Sequence, residues 1–166
     1  MNRQRALTLT AIIVAITVAL DQATKEWALS ALGDGTEIDV LPTLQFDLVF
    51  NRGFSFGTGQ GLGPYVGALV IVLCGLMIQQ IFVSNSTSRV VVLATVLGGA
   101  IGNLIDRIFR ADDGLLSGAV IDFIDVSWWA VFNVADIFVV CGLIVFALFE
   151  SKAVRAEQNS ASAATE

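Results

Sequence analysis

The sequence predicts an all-α membrane protein with four transmembrane helices, and three observations support this fold class. Of the 166 residues, 55% are hydrophobic and only 14% are charged. The mean hydropathy is +0.78, well above that expected of a soluble globular domain. Four apolar runs are long enough to span a bilayer, for which a helix needs roughly 20 residues. The length then fits a single domain, residues 1–150.

The first span is expected at about residues 6–30 and the second at about 64–83. The first follows Arg3 and Arg5, as the apolar core of a secretory signal peptide also would. However, no convincing small-x-small cleavage site follows, and "DQATKEWALSAL" continues with helix-forming residues. We therefore expect a retained helix.

The third span is expected at about residues 89–109 and the fourth at about 128–149. Only the tight turn "SNSTS" separates the second span from the third. The long connection 31–63 contains "IDVLPTLQFDLVFN", which predicts one or two short strands with a turn at the proline. Residues 110–127 form a second loop, and the small polar residues of the tail, 151–166, predict disorder.

Four spans place both termini on one side of the membrane. Basic residues on that side favour cytoplasmic termini: Arg3, Arg5, Arg89, Lys152 and Arg155. Aromatic residues typical of the membrane interface lie at the opposite, outer ends of the spans: Trp27, Tyr65, Trp128 and Trp129.

In this topology, polar residues that are costly in lipid gather at the outer surface. They come from every part of the chain: Asp21, Lys25, Asn51, Arg52, Asn103, Asp106, Arg107, Asp122, Asp125, Asn133 and Asp136. Ionisable residues within a membrane are functional candidates by default. A set of them at one depth predicts a functional site.

Several of these residues have a structural interpretation. Asp21 and Lys25 are four residues apart on one helix face and predict an ion pair that braces the first span. Asp106 and its neighbour Arg107 are interpreted as an interfacial salt bridge. The glycines of "GGAIG" (98–102) predict close packing of the third span on a neighbouring helix.

Asp136 is different, because no cation lies within four residues of it on its helix. A second carboxylate that shares one proton with it would solve the problem of burying a charge. This suggests an aspartyl dyad, although periodicity does not identify the second member. The absence of histidine excludes Ser-His-Asp, Cys-His and HExxH chemistry. The net charge of −6 argues against nucleic-acid binding.

Five short motifs follow one another on the four-span pattern. In chain order they are "DQATK" (21–25), "NRGFSFG" (51–57), "GGAIGNLIDR" (98–107), "VIDFID" (120–125) and "FNVAD" (132–136). Together they resemble the signal peptidase II family of bacterial membrane aspartyl proteases, and the resemblance extends from about residue 6 to 150.

The resemblance implies an enzyme that removes signal peptides from bacterial prolipoproteins, cutting before a cysteine that already carries diacylglycerol. It implies that Asp122 and Asp136 are the catalytic dyad, and that residues 31–63 form a small extracytoplasmic β-sheet cradle between the first two helices. Further residues would bind substrate or brace the site: Asp21, Lys25, Asn51, Gly53, Gly99, Asn103, Arg107 and Asn133.

The resemblance also implies the cellular setting. It indicates a multi-pass protein of the bacterial cytoplasmic (inner) membrane, with both termini in the cytoplasm and the active site at the outer face. The expected partners are lipidated prolipoprotein substrates and membrane lipid. No nucleic acid, metal or organic cofactor is expected, and a monomer suffices.

Three alternatives stay open. The segment from Arg107 to Asp122 is longer than the family pattern suggests, so Asp125 could replace Asp122 in the dyad. A membrane peptidase could instead use Ser55 as nucleophile and Lys25 as base. A carboxylate-based proton or ion transporter also needs intramembrane carboxylates, although transporter sites tend to lie near the midplane between internal repeats, and no repeat is visible.

Overall fold

The computed structural model describes residues 2–53, 62–111 and 114–163. Each of its four helices is long and apolar enough to span a membrane, which confirms the predicted fold class. The elements are α1 (Arg3–Leu32), β1 (Ile38–Leu41), β2 (Leu44–Asn51), α2 (Gly63–Val83), α3 (Thr87–Phe109), β3 (Val120–Val126) and α4 (Val134–Ala163). Helices α1 and α3 end, and α2 and α4 begin, beside a small sheet; we call this the sheet end of the bundle.

Helix α3 is the centre of the bundle and contacts each of the other three helices. Its glycines allow α1 to approach closely. A Cβ atom at Gly98 would collide with Thr17, and one at Gly102 would collide with the carboxylate of Asp21. The predicted close packing of the third span is therefore confirmed, and α1 is its partner at Gly98 and Gly102.

The sheet has three antiparallel strands in the order β1-β2-β3, and its third strand was not predicted. The prediction confined the sheet to residues 31–63, whereas β3 comes from the second loop, 110–127. The sequence "VIDFIDV" is rich in β-branched and aromatic residues, which favour strands. Its pairing with β2, in which Val49 lies opposite Asp122, brings the two loops together.

The sheet packs on the end of α1 through an apolar cluster. Trp27 contacts Phe46 and Phe123 edge-to-face, with ring centroids 5.2 and 5.9 Å apart. Leu32 and Ile121 are buried in the same cluster. Aromatic pairs of this geometry add specificity to apolar burial. The cluster therefore fixes β3 over the end of α1.

The loop after α3 returns to the start of α2. The backbone N–H of Gly118 donates to the carbonyl of Arg107 at 3.1 Å. Leu116 is buried and packs against α2 where Gly67 leaves room for it, since a Cβ at Gly67 would lie 3.0 Å from that of Leu116. The described part of this loop is thus packed on the helices.

Helix α4 begins later than predicted. The span was expected at 128–149, but the helix starts at Val134. The apolar residues before it belong to the sheet region instead, where Phe132 forms an isolated bridge with Ile124 of β3. Hydropathy alone does not separate such a segment from the helix that follows it.

A reciprocal cap fixes the start of α4. The side-chain Oδ1 of Asn133 accepts from the backbone N–H of Asp136 at 3.0 Å, and Oδ2 of Asp136 accepts from the backbone N–H of Asn133 at 3.1 Å. This is the geometry of a capping box. It holds Asp136 in the first turn of the helix.

The tail also differs from the prediction. Residues 151–166 were expected to be disordered, whereas α4 continues through Ala163. Residues 151–163 contain four alanines and one each of lysine, arginine, glutamate and glutamine, all good helix formers, so polarity alone was a poor guide here.

Candidate active site

A cavity of about 580 Å³ lies between α2, α3 and α4 and reaches the sheet end. Its long walls are apolar, with side chains such as Leu73, Met77, Val96, Leu143 and Phe146. Polar groups line its sheet end: Asn51, Gly53, Asn103, Arg107, Asp122 and Asp136. The cavity therefore suits a ligand with a polar group at the membrane surface and an apolar part below it.

Asp122 is presented to the cavity by β3 and is only 3% exposed. Each of its carboxylate oxygens accepts a hydrogen bond from a side-chain amide. Oδ2 accepts from Nδ2 of Asn51 at 2.9 Å, and Oδ1 accepts from Nδ2 of Asn133 at 2.7 Å. The carboxylate is thus oriented from two sides.

Asp136 enters the cavity from the first turn of α4. Its Oδ1 accepts from Nδ2 of Asn103 at 2.8 Å, while its Oδ2 accepts the capping bond from Asn133. Asn133 therefore bonds both carboxylates, through its side chain to Asp122 and through its backbone to Asp136. The two acidic groups that the sequence analysis proposed as a pair do lie at one site.

This proximity alters the acidity of Asp122. Burial raises the pKa of Asp122, and the negative charge of Asp136 raises it further. The hydrogen bonds from Asn51 and Asn133 and the positive charge of Lys25 oppose this, and the pKa of Asp122 is about 7. A carboxyl group with such a pKa is partly protonated at neutral pH.

The loop after β2 supports the cavity next to Asp122. The backbone N–H of Gly53 donates to Oδ1 of Asn51 at 3.1 Å, which turns the amide nitrogen of Asn51 toward the carboxylate. Arg107 donates from Nη2 to the carbonyl of Gly53 at 3.0 Å. Its other terminal nitrogen, Nη1, is buried and has no hydrogen-bond partner among the described residues.

Behind the cavity lies a buried ionic cluster centred on Lys25. Its Nζ lies 2.8 Å from Oδ2 of Asp21 and 2.7 Å from Oδ2 of Asp106, and all three side chains are fully buried. The predicted pairing of Asp21 with Lys25 is confirmed. The predicted salt bridge between Asp106 and Arg107 is wrong, because Asp106 pairs with Lys25 and with Arg110.

The structure brings together all ten residues proposed from the sequence, either in the cavity or behind it. Gly99 belongs to the second group, since a Cβ there would lie 2.6 Å from the carbonyl oxygen of Ala135 in α4. Asp125 lies away from the cavity and accepts from Nε2 of Gln45 at 2.9 Å. Ser55 lies outside the described residues.

Asp106 was included in the predicted polar set but was given the wrong partner, and Arg110 was missed. Their spacing of four residues at the end of α3 was a usable signal for a pair. The pairing of Asp106 with Lys25 depends on the approach of α1 to α3, which residue spacing in the sequence does not reveal. Within the described residues, no three His, Cys, Asp or Glu side chains form a group that could hold a metal ion, and the absence of a cofactor remains a prediction.

The fold and the cavity define a multi-pass membrane protein with a carboxylate site at one end of its bundle. Two solved structures, each described as a bacterial membrane enzyme, share this fold. The first has a TM-score of 0.70 and 25% identity, covering 86% of this chain and 88% of the other. The second has a TM-score of 0.69 and 24% identity, covering 84% and 90%.

Sequence comparison identifies the family. Residues 13–151 match the family model described as signal peptidase (SPase) II. A lipoprotein signal peptidase of Bifidobacterium adolescentis is 42% identical over 129 residues, covering 77% of this chain and 68% of that protein. One from Mycobacterium avium is 38% identical over 152 residues, covering 87% and 81%. The chain belongs to the signal peptidase II family.

Proposed function

We propose that this protein is a membrane aspartyl endopeptidase that removes signal peptides from bacterial prolipoproteins, with Asp122 and Asp136 as its catalytic dyad. The proposed cut precedes the diacylglyceryl-modified cysteine. The observation that supports it most directly is the pair of carboxylates, Asp122 buried and Asp136 half-buried, bridged by Asn133 at the polar end of an apolar cavity. Membership of the family supports the substrate class.

The dyad can hydrolyse a peptide bond without a covalent intermediate. One carboxylate takes a proton from a bound water, which attacks the scissile carbonyl, and the protonated partner donates its proton to the carbonyl oxygen. The first group then gives its proton to the amide nitrogen as the C–N bond breaks, and the partner takes a proton from a hydroxyl of the tetrahedral intermediate, which restores the starting pair. Both steps need one proton shared by the pair, which matches the raised pKa of Asp122. The two titrations are coupled, so the proton belongs to the pair rather than to one residue.

The cavity supports this reaction in two ways. Arg107 lines the polar end and holds the carbonyl of Gly53, which fixes the loop next to Asp122. The apolar walls formed by α2, α3 and α4 can bind the hydrophobic part of the precursor. The scissile bond would then lie at the membrane surface, where the polar groups are.

The alternative with Ser55 and Lys25 requires a neutral lysine that accepts a proton. Lys25 instead directs its ammonium group at three acceptors, from Asp21, Asp106 and Asn103, which uses all three of its N–H donors. We therefore expect Ser55→Ala to keep substantial activity.

A precursor that lacks its lipid is expected to be cleaved far more slowly than the lipidated one. Each methylene removed from water contributes about 0.8 kcal/mol, so acyl chains bound against the apolar walls supply much of the binding energy. A cleavage assay on purified protein in detergent, with matched lipidated and unlipidated precursors, measures the ratio. Equal rates would refute the proposed substrate, even if the protein proved to be a protease.

The dyad should also give a pH-dependent rate. As pH rises through the pKa of Asp122, about 7, the shared proton is lost and turnover should fall. Asn51 donates to Asp122 and lowers its pKa, so Asn51→Ala should move this alkaline limb to higher pH. The measurement is kcat as a function of pH for both proteins. An unchanged limb, or one moved to lower pH, would contradict the assignment of Asp122.

Both termini are expected in the cytoplasm, with the sheet end facing outward. The test uses two variants of a protein in which Cys74 and Cys141 are replaced by alanine. Each variant carries a single cysteine, at position 160 or at position 34. In intact cells a membrane-impermeant thiol reagent should label Asp34→Cys, which lies in the exposed segment before β1, and should not label Ser160→Cys. Strong labelling of Ser160→Cys would show that the C-terminus lies outside and would contradict the proposed orientation.

A further inference from the structure

The ionic cluster around Lys25 extends to the backbone of both segments that contain the proposed dyad. Oδ1 of Asp21 accepts from the backbone N–H of Ala135 at 3.0 Å. Oδ2 of Asp106 accepts from the backbone N–H of Ile121 at 3.3 Å. Ala135 immediately precedes Asp136, and Ile121 immediately precedes Asp122.

Lys25 links these two contacts. Its ammonium group joins Asp21 to Asp106, so a continuous chain of bonds runs from the start of α4 to β3. It also donates to Oδ1 of Asn103 at 2.9 Å. That bond orients the amide of Asn103 so that its nitrogen faces Asp136.

We propose that the cluster of Lys25, Asp21 and Asp106 is a positioning device that sets the spacing and orientation of the two catalytic aspartates. This inference rests on the proposed dyad. Lys25 acts through other residues and does not touch the substrate. A catalytic pair must be held to a fraction of an ångström, and a misplacement of about 1 Å can lower the rate about 100-fold.

A simple brace between helices would look different. An ion pair between α1 and α3 needs one cation and one anion, and apolar residues often serve the purpose as well. Here the ammonium is saturated by three acceptors, and the carboxylates bond backbone N–H groups on β3 and α4. These contacts go to the residues next to the dyad.

A second cation balances the cluster. Arg110 donates from Nε to Oδ1 of Asp106 at 3.2 Å and pairs with Glu26 at 2.8 Å. The two carboxylates of the cluster therefore face two cations, Lys25 and Arg110. Removing Lys25 alone would leave a buried negative charge without compensation, which is strongly destabilising.

The decisive variant therefore removes Lys25 and one carboxylate together. Lys25→Met with Asp21→Asn removes one positive and one negative charge and leaves Asp106 paired with Arg110, so the net charge of the cluster is unchanged. The asparagine oxygen can still accept from Ala135. We expect this double variant to fold, to lose at least about 10-fold in kcat, and to keep a KM close to that of the wild-type protein.

A pH profile separates positioning from general stability. The charged groups around the dyad are Asp21 and Lys25 on α1, Asp106, Arg107 and Arg110 at the end of α3, Asp122 on β3 and Asp136 on α4. Lys25 lowers the pKa of Asp122. Its removal should move the alkaline limb of kcat to higher pH, which a loss of folded protein would not do.

A comparison at Asp21 tests the backbone contact separately. Asp21→Asn keeps an acceptor for the N–H of Ala135, whereas Asp21→Ala does not. We expect kcat of the alanine variant to be at least about 10-fold below that of the asparagine variant. Glu150→Gln is the control for the loss of a carboxylate as such. Glu150 forms a partly exposed ion pair with Arg89 at the opposite end of the bundle.

The outcomes are distinct. A folded double variant with wild-type kcat and an unchanged alkaline limb would overturn the positioning role, as would equal kcat for Asp21→Asn and Asp21→Ala. If the double variant does not fold, the comparison of kcat between Asp21→Asn and Asp21→Ala decides whether the cluster has a positioning role. Failure of the proposed function itself would show separately, as turnover by Asp122→Asn or Asp136→Asn.

Discussion

Replacing either Asp122 or Asp136 by asparagine is expected to abolish cleavage while the protein stays folded. An amide cannot take a proton from the attacking water and is not an effective proton donor to the substrate carbonyl. The variant at position 122 also no longer buries a charged carboxylate, whose burial raises its pKa to about 7. Thermal melting in detergent should therefore stay near the wild-type temperature.

Some local adjustment accompanies the change at position 122. Both oxygens of Asp122 accept from amide groups, of Asn51 and Asn133. An asparagine there presents one NH₂ to one of these donors, so one amide must turn. The cost of one altered hydrogen bond is about 1 kcal/mol, which is too small to unfold the protein.

Two further measurements test whether Asp122 and Asp136 act as one catalytic unit. The variant with both substitutions should be no less active than either single variant, because residues that act together are not additive. Asp125→Asn is the matched control, since Asp125 bonds Gln45 outside the cavity, and it should keep substantial activity. Turnover by Asp136→Asn would exclude the aspartyl mechanism. An inactive Asp125→Asn together with an active Asp122→Asn would show that Asp125, and not Asp122, belongs to the dyad.

Much of this site could be predicted from the sequence, because lipid makes polar residues conspicuous. Asp136 and Asn133 stand out in an apolar run, and their spacing of three residues is that of a capping box. The structure places the cap there. The same spacing could have corrected the start of α4, which hydropathy placed six residues too early, at 128 rather than 134.

What could not be predicted depends on tertiary contacts. Asp106 adjoins Arg107 in sequence, yet their side chains point to different partners, Lys25 and the carbonyl of Gly53. The third strand likewise depends on pairing between two loops far apart in the chain. A strand propensity shows that a segment can extend, whereas its neighbour in the sheet is decided by packing on α1.

The second large effect is expected at Gly99, where packing and catalysis meet. A Cβ at this position would lie 2.6 Å from the carbonyl oxygen of Ala135 and 3.0 Å from Cγ2 of Val139. Both belong to α4, and backbone cannot give way as a flexible side chain can. Gly99→Ala must therefore push the first turn of α4 away from α3, and Asp136 moves with it.

Gly75 provides the matched control, because a Cβ there meets nothing within 4 Å. In a helix, alanine is favoured over glycine by about 1 kcal/mol, so Gly75→Ala should keep wild-type kcat and melt at the same or a higher temperature.

At Gly99 the same gain is opposed by overpacking, which costs about 1–3 kcal/mol. The protein should fold with a lowered melting temperature, and kcat should fall about 100-fold, as expected for a reacting group displaced by about 1 Å. Measurement of kcat and thermal melting for both variants in one detergent tests this, and wild-type kcat for Gly99→Ala would show that the approach of α3 to α4 does not set the position of Asp136.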